Sequence, residues 1–327
     1  MLQILIERPT AGTGDVDSAQ KQYRAAARRY PNVAGRLKVG FCGSDEEREA
    51  KLAKAEVFMA WRFPTPDLAR RAPHLKWIQL TGAGVEHLMP LDWLPPGVIL
   101  TNCSGVHGPK VGESVSMALL MLHSQVPAMV SAQRAHRWEQ CHTPLIGGKT
   151  VVIVGLGGLG SAAAASARRL GLKVIGVNRS GKAHRLAERT VKIGRLHEVL
   201  AKADFLLLAA PSTRHSRGMI GRRELALLKP GAAIANFGRG ALIDESALLG
   251  LLRSGHLSGA FLDVFAMEPL PADSPLWDAP NLLVSPHVLA DDADQYMPRN
   301  FDLFLRNARR YLARRPLLNR VDPELEY

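Results

Sequence analysis

The sequence predicts an α/β protein with two doubly wound, Rossmann-like parallel-sheet domains. Three observations lead there. Short apolar runs alternate with helical stretches over the first hundred residues, six further runs with helices between them fill the second half, and a glycine-rich loop sits between one of those runs and a helix. The 327 residues agree with this, at roughly 150 residues per domain.

In the first half, Leu2–Ile6, Val57–Trp61, Lys76–Leu80 and Val98–Thr101 read as strands, with helical segments near 17–29, 47–55 and 66–72. A long apolar helix follows, from about Lys110 to Gln133, interrupted at Pro127. In the second half, Thr150–Val154, Lys173–Val177, Phe205–Ala209, Ala232–Asn236, Ala260–Val264 and Leu282–Ser285 read as buried strands. The clearest helix between them runs from an Asp244 N-cap to Ser254, with Gly255 as its C-cap. A last helix, about 293–314, carries Phe301, Phe304, Leu305, Ala308 and Leu312 on one side and needs a surface to bury them.

Composition narrows the function classes. The chain is 46% hydrophobic and 22% charged, ordinary for a globular protein. Its net charge is +12, but the basic clusters Arg24/Arg28/Arg29 and Arg309/Arg310/Arg314/Arg315 fall at helical spacing. They read as solvated helix faces, and no nucleic-acid motif accompanies them. The positive excess would draw in anionic substrates and phosphorylated cofactors. Three scattered cysteines argue against a disulfide framework or a zinc site, so no metal is expected. No run approaches the roughly 18 apolar residues of a membrane span, and Met1–Glu7 is too short for a signal peptide. The expectation is a cytoplasmic protein with neither nucleic-acid nor membrane partner.

The loop Gly155-Leu156-Gly157-Gly158-Leu159-Gly160 carries the first chemistry. It follows the apolar run Thr150–Val154 and opens an alanine-rich helix. In that context Gly155 permits the tight turn, Gly157 lets backbone approach a pyrophosphate, and Gly160 lets helix pack on strand. The helix N-terminus offers unpaired N–H groups to phosphate. At the end of the next strand, an acidic residue would bind the ribose hydroxyl of NAD. Here the chain reads Asn178-Arg179-Ser180, with Lys182 close behind. Arg179 can pair with a 2′-phosphate and Ser180 can hydrogen-bond to it, so NADP is the expected cofactor, with NAD possible. The alternative is an Arg179 that merely stacks on adenine.

Ligands of open α/β sheets bind beyond the carboxyl ends of the strands. Three successive strands are followed there by Phe237-Gly238-Arg239, by Glu268 and by His287. That set suits hydride transfer to a 2-keto acid. Histidine titrates near working pH and can protonate the carbonyl oxygen. A carboxylate favours the imidazolium, and arginine can hold a substrate carboxylate by two parallel hydrogen bonds. Taken singly, Arg239 could pair with Asp244, Glu268 could cap a turn, and His287 could be a loop histidine.

These motifs, with Asp263-Val264-Phe265 and Ser285-Pro286-His287, resemble the D-isomer-specific 2-hydroxyacid dehydrogenase family over nearly the whole chain. The missing acidic residue and the loop Thr81-Gly82-Ala83-Gly84-Val85 look most like its glyoxylate/hydroxypyruvate reductase branch. The resemblance implies a discontinuous substrate-binding domain, 1–103 plus 288–327, a dinucleotide domain, 104–287, and an active site in the cleft between them. It implies that Arg239, Glu268 and His287 are catalytic, with Glu268 pairing with His287 as proton donor. Gly82, Ala83 and Gly84 would bind the substrate carboxylate together with Arg239. The cofactor would be held by Gly155, Gly157, Gly158, Leu159, Gly160, Asn178, Arg179, Ser180, Phe237, Gly238, Arg239 and His287. Asp263 would hold its nicotinamide amide, Ala210 and Pro211 would flank the adenosine side, and Ser216 would contribute nearby. A homodimer through the region near 105–145 is implied, although the apolar helix there is equally explained by burial within one subunit. Trp61, Arg62 and Trp138 fall where relatives shape substrate pockets, with simple packing as the alternative. The stretch Val288–Asp292 departs from the small residues and threonine usual in the family. Other readings are a non-catalytic dinucleotide sensor and a dehydrogenase of another small anion, such as formate or phosphite. Phosphoglycerate is less expected, because no regulatory domain follows residue 327.

Overall fold

A computed structural model describes residues 1–7 and 15–327. The chain forms two compact units, Met1–Val106 with Asp292–Tyr327, and His107–Asp291. Seven helices of eight residues or more lie among the described residues: α1 (Val16–Ala27), α2 (Asp45–Leu52), α3 (Gly108–His123), α4 (Val126–Arg134), α5 (Gly158–Arg169), α6 (Glu245–Arg253) and α7 (Tyr296–Leu312).

The first unit holds a parallel sheet of β1 (Leu2–Glu7), β2 (Leu37–Cys42), β3 (Val57–Ala60), β4 (Trp77–Leu80) and β5 (Ile99–Thr101), in the order β2-β1-β3-β4-β5. Strands β3 and β4 are buried at every residue, because helices cover both faces. The apolar stripe of α7 packs here: Phe301, Phe304, Leu305 and Ala308 are buried against Leu2, Ile4, Tyr23 and Trp77. The indole of Trp77 stacks on Phe304 with centroids 5.3 Å apart, and its Nε1 donates to the Thr101 hydroxyl at 2.7 Å. Burying each such aromatic contributes about 1.5–3 kcal/mol, which ties the C-terminal helix to the N-terminal sheet.

The second unit holds a seven-stranded parallel sheet. Its strands are β6 (Thr150–Val154), β7 (Lys173–Asn178), β8 (Arg189–Lys192), β9 (Phe205–Leu208), β10 (Ala232–Asn236), β11 (Leu257–Leu262) and β12 (Leu282–Val284), in the order β12-β11-β10-β9-β6-β7-β8. The winding reverses between β6 and β9, which lie side by side with Val154 opposite Leu208. A crevice at such a reversal is where this class of sheet takes its ligand. Apolar layers cover both faces, one including Val152, Leu206 and Ile234, the other Val151, Leu207 and Ala235.

Three local expectations need correction. Strands β2 and β8 appear where no strand is predicted. The long helix breaks into α3 and α4, bent by 63°. The break falls at Ser124-Gln125, before Pro127, because a proline ring clashes with the carbonyl four residues back and α3 stops at that residue, His123. Asp244 caps α6 as expected, accepting from the Ala247 amide at 2.9 Å, but the C-cap is Ser254, with Gly255 one residue beyond at φ +73°. No single helix among the described residues is long and apolar enough to cross a membrane, and none of their side-chain clusters could hold a metal ion.

Candidate active site

The glycine loop joins β6 to α5 at the reversal of the second sheet. Gly155 has φ +92°, and a β-carbon there would lie 2.6 Å from the Ala210 nitrogen at the end of β9. A β-carbon on Gly160 would lie 1.7 Å from the Gly155 carbonyl oxygen, so only glycine lets the helix start so close to the strand. Gly157 is the N-cap of α5 and supplies no side-chain cap, while a β-carbon on it would meet nothing within 4 Å. The first turn of this twelve-residue helix thus has no side-chain cap, and the space beside Gly157 is open. This cradle fits the pyrophosphate of a dinucleotide.

At the end of β7, Asn178 closes a tight loop. Its Oδ1 accepts from the Gly181 amide at 2.6 Å and from the Ser180 hydroxyl at 3.4 Å, and its Nδ2 donates to the Lys182 carbonyl at 2.9 Å. The side chains of Asn178 and Ser180 thus hold the loop, and Arg179 is left exposed at its tip. The first carboxylate after this strand is Glu188. Ser216 is buried, donating to the Pro211 carbonyl at 2.7 Å and accepting from the Thr213 amide at 2.8 Å, so it shapes the loop after β9 from within.

The polar residues beyond β10, β11 and β12 come together at the same edge. Buried Asn236 accepts from the Gly238 amide and donates to the Arg239 carbonyl, both at 3.0 Å, which fixes the turn carrying Arg239. His287 Nδ1 lies 2.6 Å from Glu268 Oε2. The other Glu268 oxygen accepts from the Phe265 amide at 2.9 Å, so one carboxylate grips both the histidine and its own loop. His287 has φ +54°, a conformation that non-glycine residues rarely hold.

Asp263 accounts for that conformation. Its buried carboxylate accepts from the Ser285 hydroxyl at 2.6 Å, the Val288 amide at 3.1 Å and the Leu289 amide at 3.3 Å, on both sides of His287. Burial pushes this carboxyl above its ordinary range, against the pull of those donors. Glu245, at the start of α6, accepts from the Ala266 amide at 2.7 Å, and burial raises its carboxyl as well. His107 Nδ1 lies 3.1 Å from the Ala290 carbonyl, and burial lowers its imidazolium below the usual range. Sequence reasoning assigned no role to Asn236, Glu245, Ser285 or His107. Asn236 and Ser285 did give a signal, as parts of the motifs Asn236-Phe237-Gly238-Arg239-Gly240 and Ser285-Pro286-His287, whereas Glu245 and His107 gave none.

The Gly82-Ala83-Gly84 loop belongs to the first unit. A β-carbon on Gly82 would fall 1.8 Å from the Trp61 ring, so that indole lies directly on the loop. Trp61 in turn packs on His87, with centroids 4.3 Å apart. Asn102 Nδ2 donates to the Ala83 carbonyl at 2.8 Å, and the Tyr296 hydroxyl donates to the Thr81 carbonyl. Arg62 is exposed beside Trp61, and Trp138 in the second unit is 93% exposed.

The glycine loop and the edge carrying Arg239, Glu268 and His287 belong to one parallel sheet, and comparison with known proteins identifies the family to which such a sheet belongs. Residues 116–288 match the D-isomer specific 2-hydroxyacid dehydrogenase, NAD binding domain. The chain belongs to this family. A D-isomer specific 2-hydroxyacid dehydrogenase from Xanthobacter autotrophicus Py2, in complex with NADPH and MES, is 32% identical with a TM-score of 0.85, covering 99% of each chain. An NADPH-dependent glyoxylate/hydroxypyruvate reductase from Sinorhizobium meliloti, in complex with NADP and sulfate, is 29% identical with a TM-score of 0.82 over 100% of both chains. D-3-phosphoglycerate dehydrogenase of Mycobacterium tuberculosis is 34% identical over 76% of this chain, which spans only 45% of that relative's length.

Proposed function

We propose that the chain reduces small 2-keto acids of the glyoxylate or hydroxypyruvate type with NADPH. The observation that carries this is the His287–Glu268 pair, 2.6 Å apart, at the same sheet edge as Arg239 and the glycine loop. Gly155–Gly160 hold the pyrophosphate, and Arg179 takes the 2′-phosphate, with no acidic neighbour to repel it. Phe237, Gly238, Asp263 and Ala210-Pro211 flank the rest of the dinucleotide. Bound there, the nicotinamide supplies the hydride. His287 donates a proton to the carbonyl oxygen as negative charge develops on it, and Glu268 holds the ring at Nδ1 so that Nε2 is the donor. Arg239 holds the substrate carboxylate by paired hydrogen bonds.

We infer that the working form is a homodimer. Met117 and Leu120 on α3, Met129 on α4, and Trp138 and Leu145 just beyond are all exposed, the last two at 93% and 90%. An apolar surface of this kind suits a second copy of the chain.

A panel of 2-keto acids assayed with NADPH and NADH side by side tests the function. Glyoxylate or hydroxypyruvate with NADPH should give the highest kcat/KM. D-3-phosphoglycerate with NAD⁺ as the better pair would transfer the assignment to that substrate. Tight NADPH binding without turnover of any acid would make the chain a sensor.

A further inference from the structure

The first unit carries a surface cavity of about 560 Å³, wide open to solvent, that the proposed reaction does not use. It lies where the chain leaves α7 and folds back to the free edge of β5. The return is fixed on both sides. Asn307, on α7, exchanges hydrogen bonds with the backbone of Leu318 at 2.8 and 3.1 Å. Val321 donates to the Leu100 carbonyl at 2.9 Å, and Arg320 bridges to Thr101. Tyr311 is held in the Trp77 stack, with centroids 5.9 Å apart. The backbone and the Tyr311 ring are therefore held in place, the three arginine side chains stand exposed at the rim, and the volume falls within the range of small-molecule sites.

The lining divides into two chemistries. Ile99, Leu312, Leu317 and the Tyr311 ring supply an apolar wall. Arg314, Arg315 and Arg320 supply three guanidinium groups, and no carboxylate lines the cavity. None of the three pairs with a carboxylate among the described residues. Glu56, the acid that acts on Tyr311, is already paired with Lys76 at 3.1 Å. Arg314 also stands where a helix normally ends in glycine. Its φ is +53°, just beyond the Ala313 C-cap, and the Arg315 amide closes back on the Arg310 carbonyl at 2.8 Å. Glycine would hold this turn without strain, so an arginine there gives up stability to place a cation at the cavity.

We propose that this cavity is a second ligand site, for an organic anion that joins a phosphate or carboxylate to an aromatic or acyl group. Forked guanidinium groups bind such anions by paired hydrogen bonds, and the apolar wall takes the hydrocarbon part. The site needs neither the glycine loop nor the Arg–Glu–His edge, so it stands or falls apart from the reductase reading.

Isothermal titration of the full chain at low ionic strength, with NADPH saturating, tests it using phenyl phosphate, benzoate and inorganic phosphate as probes. Phenyl phosphate should bind saturably and roughly tenfold more tightly than inorganic phosphate, reflecting the apolar wall. The double substitution R315A/R320A should weaken it by at least about tenfold, and R239A should leave it unchanged. R314G should raise the thermal midpoint while weakening phenyl phosphate. It also keeps the test open if the double variant fails to fold. A benzoate affinity equal to that of phenyl phosphate would mark the site as carboxylate-tolerant and support it equally. Absence of saturable binding, binding that the pocket substitutions leave within about twofold, or inorganic phosphate binding as tightly as phenyl phosphate would overturn the proposal.

Discussion

In the proposed reaction Glu268 acts only through His287, and that relation can be measured. The change to make is Glu268→Gln. It keeps the shape of the side chain and leaves an oxygen for the Phe265 amide or the His287 ring, whose present distances are 2.9 and 2.6 Å. What disappears is the negative charge. A hydrogen bond to a charged group contributes about 1.5–3 kcal/mol. His287 and Glu268 are 42% and 34% exposed in their side chains, so solvent screening sets the lower end. At about 1.4 kcal/mol per decade, kcat/KM for the keto acid should fall roughly tenfold. His287→Asn removes the proposed proton donor itself and should cost about 10²–10⁴-fold. Asparagine is the suitable replacement because it tolerates the left-handed backbone at this position. The decisive measurement is the double substitution, followed by initial rates of NADPH oxidation. If Glu268 works through the histidine, E268Q/H287N should be no slower than H287N by more than a few-fold. Losses that multiply would refute the pairing as the source of the effect.

The remaining expectations are independent of that cycle. Arg179→Asp should move the ratio of kcat/KM for NADPH over NADH toward NADH by about 10–100-fold, and an unchanged ratio would remove Arg179 as the determinant. Gly160→Ala places a carbon 1.7 Å from the Gly155 carbonyl, so it should lose about 1–3 kcal/mol of stability and bind NADPH more weakly. Burial pushes the Asp204 carboxyl up, but the Thr150 amide and Lys229 outweigh it and hold the folded value below 3.8. Its contribution is therefore present above that value and lost as pH falls through the folded one. Asp204→Asn should cost about 1 kcal/mol near neutrality and progressively less toward pH 3, whereas a pH-independent difference in Tm would contradict the assignment. Trp138→Ala with Leu145→Asp should shift the chain from dimer to monomer in size-exclusion chromatography, and an unchanged elution volume would leave the dimer unsupported.

Much of this architecture was legible in the sequence because buried parallel strands are continuous apolar runs. Thr150–Val154 and Ala232–Asn236 have the predicted bounds, being covered on both faces. The missed strands are edges. Strand β2 interrupts its apolar residues with Lys38 and Gly40, and β8 reads Arg-Thr-Val-Lys, since each has a neighbour on one side only. The same contrast holds at the site. Arg239, Glu268 and His287 stand out because each follows a strand at the ligand-binding edge. Glu245 and His107 meet that neighbourhood from helix starts distant in sequence, and no local pattern reveals such long-range pairs. The three-sided hold of Asp263 on the His287 segment was equally invisible, because two of its donors are backbone amides that any residue would supply.

The order of the chain has a consequence for its biosynthesis. Tyr23 and the sheet edge around Phe41 are translated early, yet Phe301, which meets the Tyr23 ring at 5.7 Å, lies near the other end. The whole of His107–Asp291 emerges from the ribosome in between. At elongation speeds of about 5–20 residues per second, the nascent first sheet waits roughly 10–40 s for the helix that covers it. The inserted unit, contiguous and complete in itself, can fold during that interval. The N-terminal aromatics meanwhile remain exposed to chaperones and to neighbouring nascent chains, which makes them the expected point of aggregation when expression outruns folding.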